Sequence, residues 1–424
     1  MKRDLVPVVV QQHVQEAIAL RNTRSFLVRA PHVKLNQLRR LDDRLAAHLD
    51  GLDVAGEYGS KLVADALETP APGEMFAATV RAIEGRNVAG LENSLALAQA
   101  LPDSQAGLVS AFGWVSASSL RGITRALLEA PDAFRRRVGL AACALHGADP
   151  AASLTIALKD ADAALRARAW RVVASLGRVD LLPDCINAMA DADADCVFEA
   201  ARAAVLLGDR REAVAALRTM ALVSGRHRRH ALSLVLKLLE STEVHAVLKT
   251  LSQNPADARL LIRGIGACGD LHYIPWLIQQ MQDPKLARIA GEAFSLITGV
   301  DVARQNFERA LAESPEAGAS DDPEDDSVAM DEDHGLPWPD LEKIAAWWQT
   351  TRHRFVAGSR YFMGEPPSFA HCLAVLKEGY QRQRIAAAEW RCLLQPGTPL
   401  FNTAAPAWRQ QRWPPCFSQL PSGA

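Results

Sequence analysis

The stretch RAWRVVASLGRVDLLP, residues 168–183, decides the fold. Its apolar residues recur at helical spacing as far as Leu176, Gly177 stops the pattern, and Leu181, Leu182 and Pro183 open another helix. A glycine just past a helix end suits left-handed backbone, where a Cβ is costly. A single such unit is an ordinary helical hairpin, but this one recurs. Gly147, Gly208, Gly269 and Gly299 repeat the stop at intervals of about 30 residues. One slot, near Glu240, lacks its glycine, and Gly113 fits one step earlier at a slightly longer interval.

A second landmark precedes the second helix of each unit: Asp132 in APDAF, Asp160 in KDADAAL, Asp191 in ADADADCV and Asp283 in QDPKLA. An aspartate there caps the incoming helix by accepting from its free N–H groups, and its charge suits the positive end of the helix dipole. Alanine-rich helices such as RARAWRVVASLG and VFEAARAAVLLG follow, with small faces that let neighbouring helices approach closely. The pattern predicts about seven helix pairs, at 88–117, 118–148, 149–178, 179–209, 210–240, 241–270 and 271–300, each unable to bury its apolar face alone. Stacked, they make an all-α fold, an α-solenoid.

The aspartate cap, the alanine-rich second helix and the terminal glycine resemble HEAT repeats, in particular the short HEAT-like units also found in phycobilin lyases. Three further passages narrow the likeness: LDDRLAAHLDGLDVAG near the start, GEAFSLITGVD at the end of the array, and the tail RYFMGEPP, GYQRQRIAAAEW, PGTPLF and APAWRQ. Together they resemble a family of uncharacterised bacterial HEAT-repeat proteins often associated with type VI secretion gene clusters. That resemblance implies a bacterial cytoplasmic interaction protein and brings no catalytic residues with it.

Residues 1–87 lack the glycine spacing but keep a stripe of Leu38, Leu41, Leu45, Leu49 and Leu52, which predicts an N-terminal helical cap on the array of residues 88–300. Residues 301–336 change character. They carry ten acidic residues between Glu313 and Asp333 with no Lys or Arg among them, the composition of a disordered linker. The alternative is an acidic tether folding back onto a basic patch. Such a patch exists in residues 341–424, which hold ten Lys or Arg against four Glu. Residues 337–424, basic and rich in tryptophan, are expected to form a small C-terminal helical module.

The whole chain of 424 residues is close to neutral at a formal charge of -2, so no global field argues for nucleic acid or an anionic membrane. The apolar run of residues 5–10 is too short for a secretory signal, and no stretch is long enough to span a bilayer. The seven cysteines are scattered without a CxxC, as expected of buried thiols in a reducing cytoplasm. GxSxG, HExxH and P-loop arrangements do not occur in the sequence, so no cofactor or metal is called for. His227 and His230, three apart in SGRHRRH, lack a third ligand nearby and read as part of a basic surface cluster.

The arginines carry more information. Six residues before a terminal glycine stand Arg171, Arg202 and Arg263, and ten or eleven before it stand Arg136, Arg137, Arg166, Arg259 and Arg288. One residue per repeat at a fixed position draws a stripe along a solenoid face, and guanidinium forks suit carboxylates. The readings that compete are a basic groove for an acidic partner, a plain solvated helical face, and clamps that pair with the turn aspartates of adjacent repeats. In the tail, adjacent Trp347 and Trp348 point to different sides of a helix, so at least one meets the array or a partner. Arg382 and Arg384, in QRQR, add cations beside them. Trp114, Trp170 and Trp276 are expected to fill the core.

The expectation is a non-catalytic scaffold that binds another protein of acidic surface. Arg136, Arg166, Arg171, Arg202, Arg263, Arg288, Arg382 and Arg384 select carboxylates in this reading, and Trp347 and Trp348 act as anchors. Through the family resemblance the partner is a secretion-system component or effector, which makes this an adaptor, chaperone or immunity protein. Two rivals stand beside it. One is a nucleic-acid-binding or glycosylase-like protein, motivated by the basic tail and the repeat tryptophans; the other is a small-molecule protein of the phycobilin-lyase type.

Overall fold

The computed structural model describes residues 5–309 and 331–412. Among them it holds 22 α-helices and no β-strand, only isolated bridges, so the protein is all-α. The chain divides into two compact units: Met1–Asp209 with Leu376–Ala424, and Arg210–Val375.

The first unit opens with α1 (Pro7–Leu27), α2 (Leu35–Val54), α3 (Gly56–Asp65) and α4 (Pro72–Glu84). The leucine stripe of α2 lies inside: Leu38, Leu45 and Leu52 are fully buried and Leu41 and Leu49 nearly so, each worth about 1.5–3 kcal/mol. Helices then follow in pairs: α5 (Val88–Ala100) with α6 (Gln105–Trp114), α7 (Ile123–Leu128) with α8 (Ala133–His146), α9 (Ala152–Ala157) with α10 (Ala163–Leu176), and α11 (Leu182–Asn187) with α12 (Ala194–Leu206). Second helices stack in sequence order, α6 on α8, α8 on α10 and α10 on α12. Alanines make this possible: Ala169 and Ala174 of α10 and Ala200, Ala201, Ala203 and Ala204 of α12 are buried between layers.

The second unit repeats the scheme with α13 (Glu212–Leu222) and α14 (Arg228–Leu236), α15 (Ser241–Ser252) and α16 (Ala258–Cys268), and α17 (Ile274–Gln280) and α18 (Ala287–Thr298). Again α14 packs on α16 and α16 on α18. The remaining helices are α19 (Leu341–Thr351), α20 (Phe369–Glu378), α21 (Gln381–Leu394) and α22 (Ala407–Gln411). Each of the seven intervals read from the sequence contains two α-helices.

Local signals behave unequally. Gly147, Gly177, Gly269 and Gly299 are left-handed C-caps, whereas Gly113 lies inside α6, a buried residue that the helix runs through. The aspartates divide their labour. Asp132 caps α8 directly, but α10 and α12 are capped by Asp162 and Asp193, two residues after the aspartates singled out by spacing. Asp160 and Asp191 instead accept from the Asp162 and Asp193 N–H groups and hold the turn. Asp283 accepts from the Lys285 N–H, and α18 has no side-chain cap.

The C-terminal part does not form one module. Residues up to Val375 belong to the second unit and those from Leu376 onward to the first. In both, the chain runs across helix C-termini, whose last carbonyls have no partner within the helix. In the second unit the Tyr361 N–H donates to Gly269 O, and the Met363 and Gly364 N–H groups donate to Leu296 O and Ile297 O. The Arg360 guanidinium donates to Lys237 O and Leu239 O, filling the slot that lacks a glycine. In the first unit the Leu400 N–H donates to Ser175 O, and Arg409 serves Gly113 O, Trp114 O and Val115 O at the end of α6. The basic tail thus places cations at negative helix ends.

The segment expected as a linker is only partly described, since residues 310–330 lie outside the described residues. Its two flanks are packed, not loose. Val302, Asp333 and Leu336 are buried, and the flanks pair where the Arg309 N–H donates to Trp338 O and the Asp340 N–H to Phe307 O. Burial of Val302 and Leu336, and charge pairing of the acids, supply what composition alone did not offer.

Candidate functional site

In the first unit the arginine stripe is a set of clamps. Arg136 donates to Asp160 at 2.8 Å, and Arg166 takes Asp191 with both arms of its fork at 2.8 and 2.9 Å. Arg171 and Arg202 both reach Glu199, which is buried. Burial works against ionising Glu199, but Arg202 and Arg171 outweigh it and hold the carboxyl below its usual range. Arg136, Arg166 and Arg171 therefore join one helix pair to the next, with half-exposed Arg171 the most accessible of them, while Arg202 meets Glu199 within α12 itself. Carboxylates of the next pair, Asp160 and Asp191 on its turns and Glu199 on its second helix, reach Arg136, Arg166 and Arg171 first because helix stacking brings them within one side-chain length.

The tail residues are spent inside their units. Arg384 is fully buried; it donates to Leu376 O at 2.7 Å, to Gln410 Oε1 at 2.5 Å and to Gln381 Oε1, and burial lowers its pKa to about 10. A partner-binding role for Arg384 is thereby corrected: its fork organises a buried amide cluster. Arg382 donates its Nε to Arg29 O. Trp348 is buried against Phe355, with ring centres 5.5 Å apart, and half-buried Trp347 packs edge-on against Phe294 at 5.8 Å. Both tryptophans anchor α19 within its own unit. Trp114 and Trp170 are buried core residues, as their setting predicted, whereas Trp276 is only partly buried.

In the second unit the arginines have a different kind of partner. Arg229 on α14, Arg259 and Arg263 on α16, and Arg288 on α18 meet Asp331, Glu332 and Asp333. Glu332 lies between Arg263 at 2.5 Å and Arg229 at 3.4 Å, Asp333 accepts from Arg259 at 2.6 Å, and Asp331 pairs with Arg288. Arg288 also donates to Asp333 O at 3.2 Å and lies over the Trp338 ring, 5.0 Å from its centre. The acidic residues are not on a helix. They form a tight turn in which the Asp333 N–H donates to the Asp331 carboxylate and the Leu336 N–H to Asp333 O. Three successive second helices thus present four guanidinium groups as a comb, and a short irregular segment lays three consecutive carboxylates across it.

The electrostatics follow. The hydrogen bond from Arg263 holds the Glu332 carboxyl below its usual range. At Asp331 burial works the other way, but the Asp333 N–H and Arg288 prevail and the pKa falls. Arg259 is pushed up by its bond to Asp333. Asp331 and Glu332 are consequently held as anions around neutrality.

Sequence spacing found Arg259, Arg263 and Arg288 but missed Arg229, which precedes its helix's glycine-less slot, and missed the acids as their partners. The signal was present in DED at the end of the acidic run, and the expected target was wrong: these acids meet the array's helices, not the basic tail.

A second polar group surrounds a cavity of about 230 Å³ lined by Ser241, Cys268, Asp270 and Arg360, among others. His245 bonds the Tyr273 hydroxyl through Nδ1 at 2.5 Å, while both Ser241 and Asp270 approach its Nε2, at 3.3 and 3.6 Å. A serine nucleophile needs its base oriented by the opposite ring nitrogen; here the carboxylate competes for the nitrogen that would take the serine proton. The six described cysteines are buried, and burial pushes Cys185, Cys196, Cys268 and Cys392 up to about 12, which disfavours their thiolates. Among the described residues no helix is long and apolar enough to cross a membrane, and no group of three or more His, Cys, Asp or Glu is placed to hold a metal.

No protein-family profile and no curated protein matches this chain.

Proposed function

We propose that this protein is a non-catalytic binding scaffold that recognises an acidic segment of another protein on the face formed by α14, α16 and α18. One observation carries the reading: guanidinium groups from three successive helices converge on three consecutive carboxylates. Evenly spaced cations on a rigid frame read a run of acids with little reorganisation, the geometry of recognition by a preformed surface. By the family resemblance, the setting is the bacterial cytoplasm and the partner a secretion-system component or effector. Arg360, Arg384 and Arg409 of the tail donate to acceptors within their own units, which weakens the case for a nucleic-acid backbone as their ligand.

The test is capture of partners from native bacterial lysate with chemical cross-linking. A stoichiometric protein is expected whose cross-links map an acidic segment to the α14, α16 and α18 face. Replacing Arg229 and Arg263 by glutamate should abolish its retention at unchanged helicity. Retention unaltered by that double reversal, or cross-links confined to other faces, refutes the proposal.

A further inference from the structure

The comb is occupied in this structure by the chain itself, and the occupant has the chemistry of a ligand. Clamps in the first unit pair with carboxylates on a capping turn or, at Glu199, on a helix, where the backbone is fixed by the stack. Asp331, Glu332 and Asp333 differ. They belong to a turn held to the comb mainly through the acids themselves, its apolar anchor Leu336 following three residues after Asp333. Asp331 and Glu332 are half exposed, with side chains 50% and 58% accessible, whereas Arg263 and Arg288 are only 18% and 20% accessible. Arg259 and Arg229 are more open, at 38% and 50%, and Asp333 is buried, so two of the three acids, Asp331 and Glu332, lie at the outer surface.

We infer that residues 331–333 act as an internal competitor: they occupy the site for an acidic peptide, and a partner engages by displacing them. This rests on the scaffold reading and names both the ligand class and its regulation. Ion pairs that reach solvent, as those of Asp331 and Glu332 do, are individually weak, so a ligand with a longer acidic run replaces these two at modest cost. Tethering compensates, because a segment anchored a few residues away competes at an effective concentration of about millimolar. The ligand must therefore supply more carboxylates than the turn does, which sets a threshold against single surface acids. Trp338, with the guanidinium groups of Arg288 and Arg309 over its ring at 5.0 and 4.7 Å, stays as one wall of the site when the acids leave.

The experiment titrates a fluorescein-labelled decaglutamate peptide into the full-length protein and two variants. One carries Asp331→Asn, Glu332→Gln and Asp333→Asn; the other carries only Asp331→Asn and Glu332→Gln, which spares buried Asp333 should the triple variant fail to fold. Freed of the competitor, the variants should bind the probe at least about tenfold more tightly than the wild type, a difference of about 1.4 kcal/mol. Adding Arg263→Gln and Arg288→Gln to either variant should remove the gain. Equal affinity of wild type and folded variants overturns the competitor while leaving the acidic-segment scaffold standing. No binding by any form, at low salt, overturns both.

Discussion

Gly177 lies under the C-terminal chain, and replacing it tests whether that chain is a rigid strap. Its backbone is left-handed at φ +68°, and a Cβ there meets the carbonyl oxygen of Gly397, the carbonyl carbon at 2.8 Å and the nitrogen of Pro399 at 3.2 Å. Gly122 is left-handed too, at φ +85°, but has nothing within 4 Å of an added Cβ. Alanine in left-handed backbone costs about 1–2 kcal/mol, and both sites incur it. Only Gly177→Ala also forces neighbouring backbone aside, which for a packed site adds about 1–3 kcal/mol. The difference isolates the strap. It should be read locally, because a chain of two units does not unfold as one state. The Leu400 N–H donates to Ser175 O at 3.1 Å, so its hydrogen exchange reports opening of this contact. Gly177→Ala should speed that exchange roughly 5- to 150-fold, and Gly122→Ala should leave it unchanged. Unchanged exchange at Leu400 in Gly177→Ala, or equal acceleration by both variants, refutes a fixed strap.

Arg360 replaces a missing glycine by donating to Lys237 O and Leu239 O. Arg360→Gln should destabilise this helix end by about 1–3 kcal/mol, seen as faster exchange of amides following α14 with little change at α18. Acid stability provides another test. Burial, and then His13, lowers the pKa of His48, whose Nδ1 is 3.0 Å from that of His13; burial also lowers that of His146. Both are depressed below about 6.5 in the folded state, so the unfolded chain binds protons first as the pH falls. Their contribution is present above about pH 6.5 and is lost as the pH drops through the folded values. Urea midpoints should accordingly decline between about pH 7 and 5, and less steeply in a His48→Gln, His146→Gln variant; identical slopes would contradict the assignment.

Much of the helical frame was legible because its signals are local. A glycine stop, an aspartate two or three residues before a helix and an alanine-rich face act within a few residues, and they placed the helix pairs. Where those signals misled, a closer neighbour had won. Asp162 and Asp193 stood nearer the free N–H groups than Asp160 and Asp191, and Gly113 lay in a helix whose apolar surroundings carried it through. The fate of the charges was not legible. An arginine pairs with whichever carboxylate packing delivers, and spacing along the chain is silent about that.

The sequence by itself determined that this chain is helical, that its helices come in pairs of nearly constant period, and that arginines recur at fixed places within them. Only the tertiary structure decided which arginines are structural. Arg166 lies 25 residues from its partner Asp191 and clamps a neighbouring turn, while Arg263 lies 69 residues from Glu332 and forms part of a comb. Arg409, separated by 296 residues from Gly113, caps a helix end. Helix formation depends on backbone bonds four residues apart and is written in short windows. Pairing of charges depends on side chains brought within about 4 Å by the stacking of whole helices, and no window of sequence contains both halves of that contact.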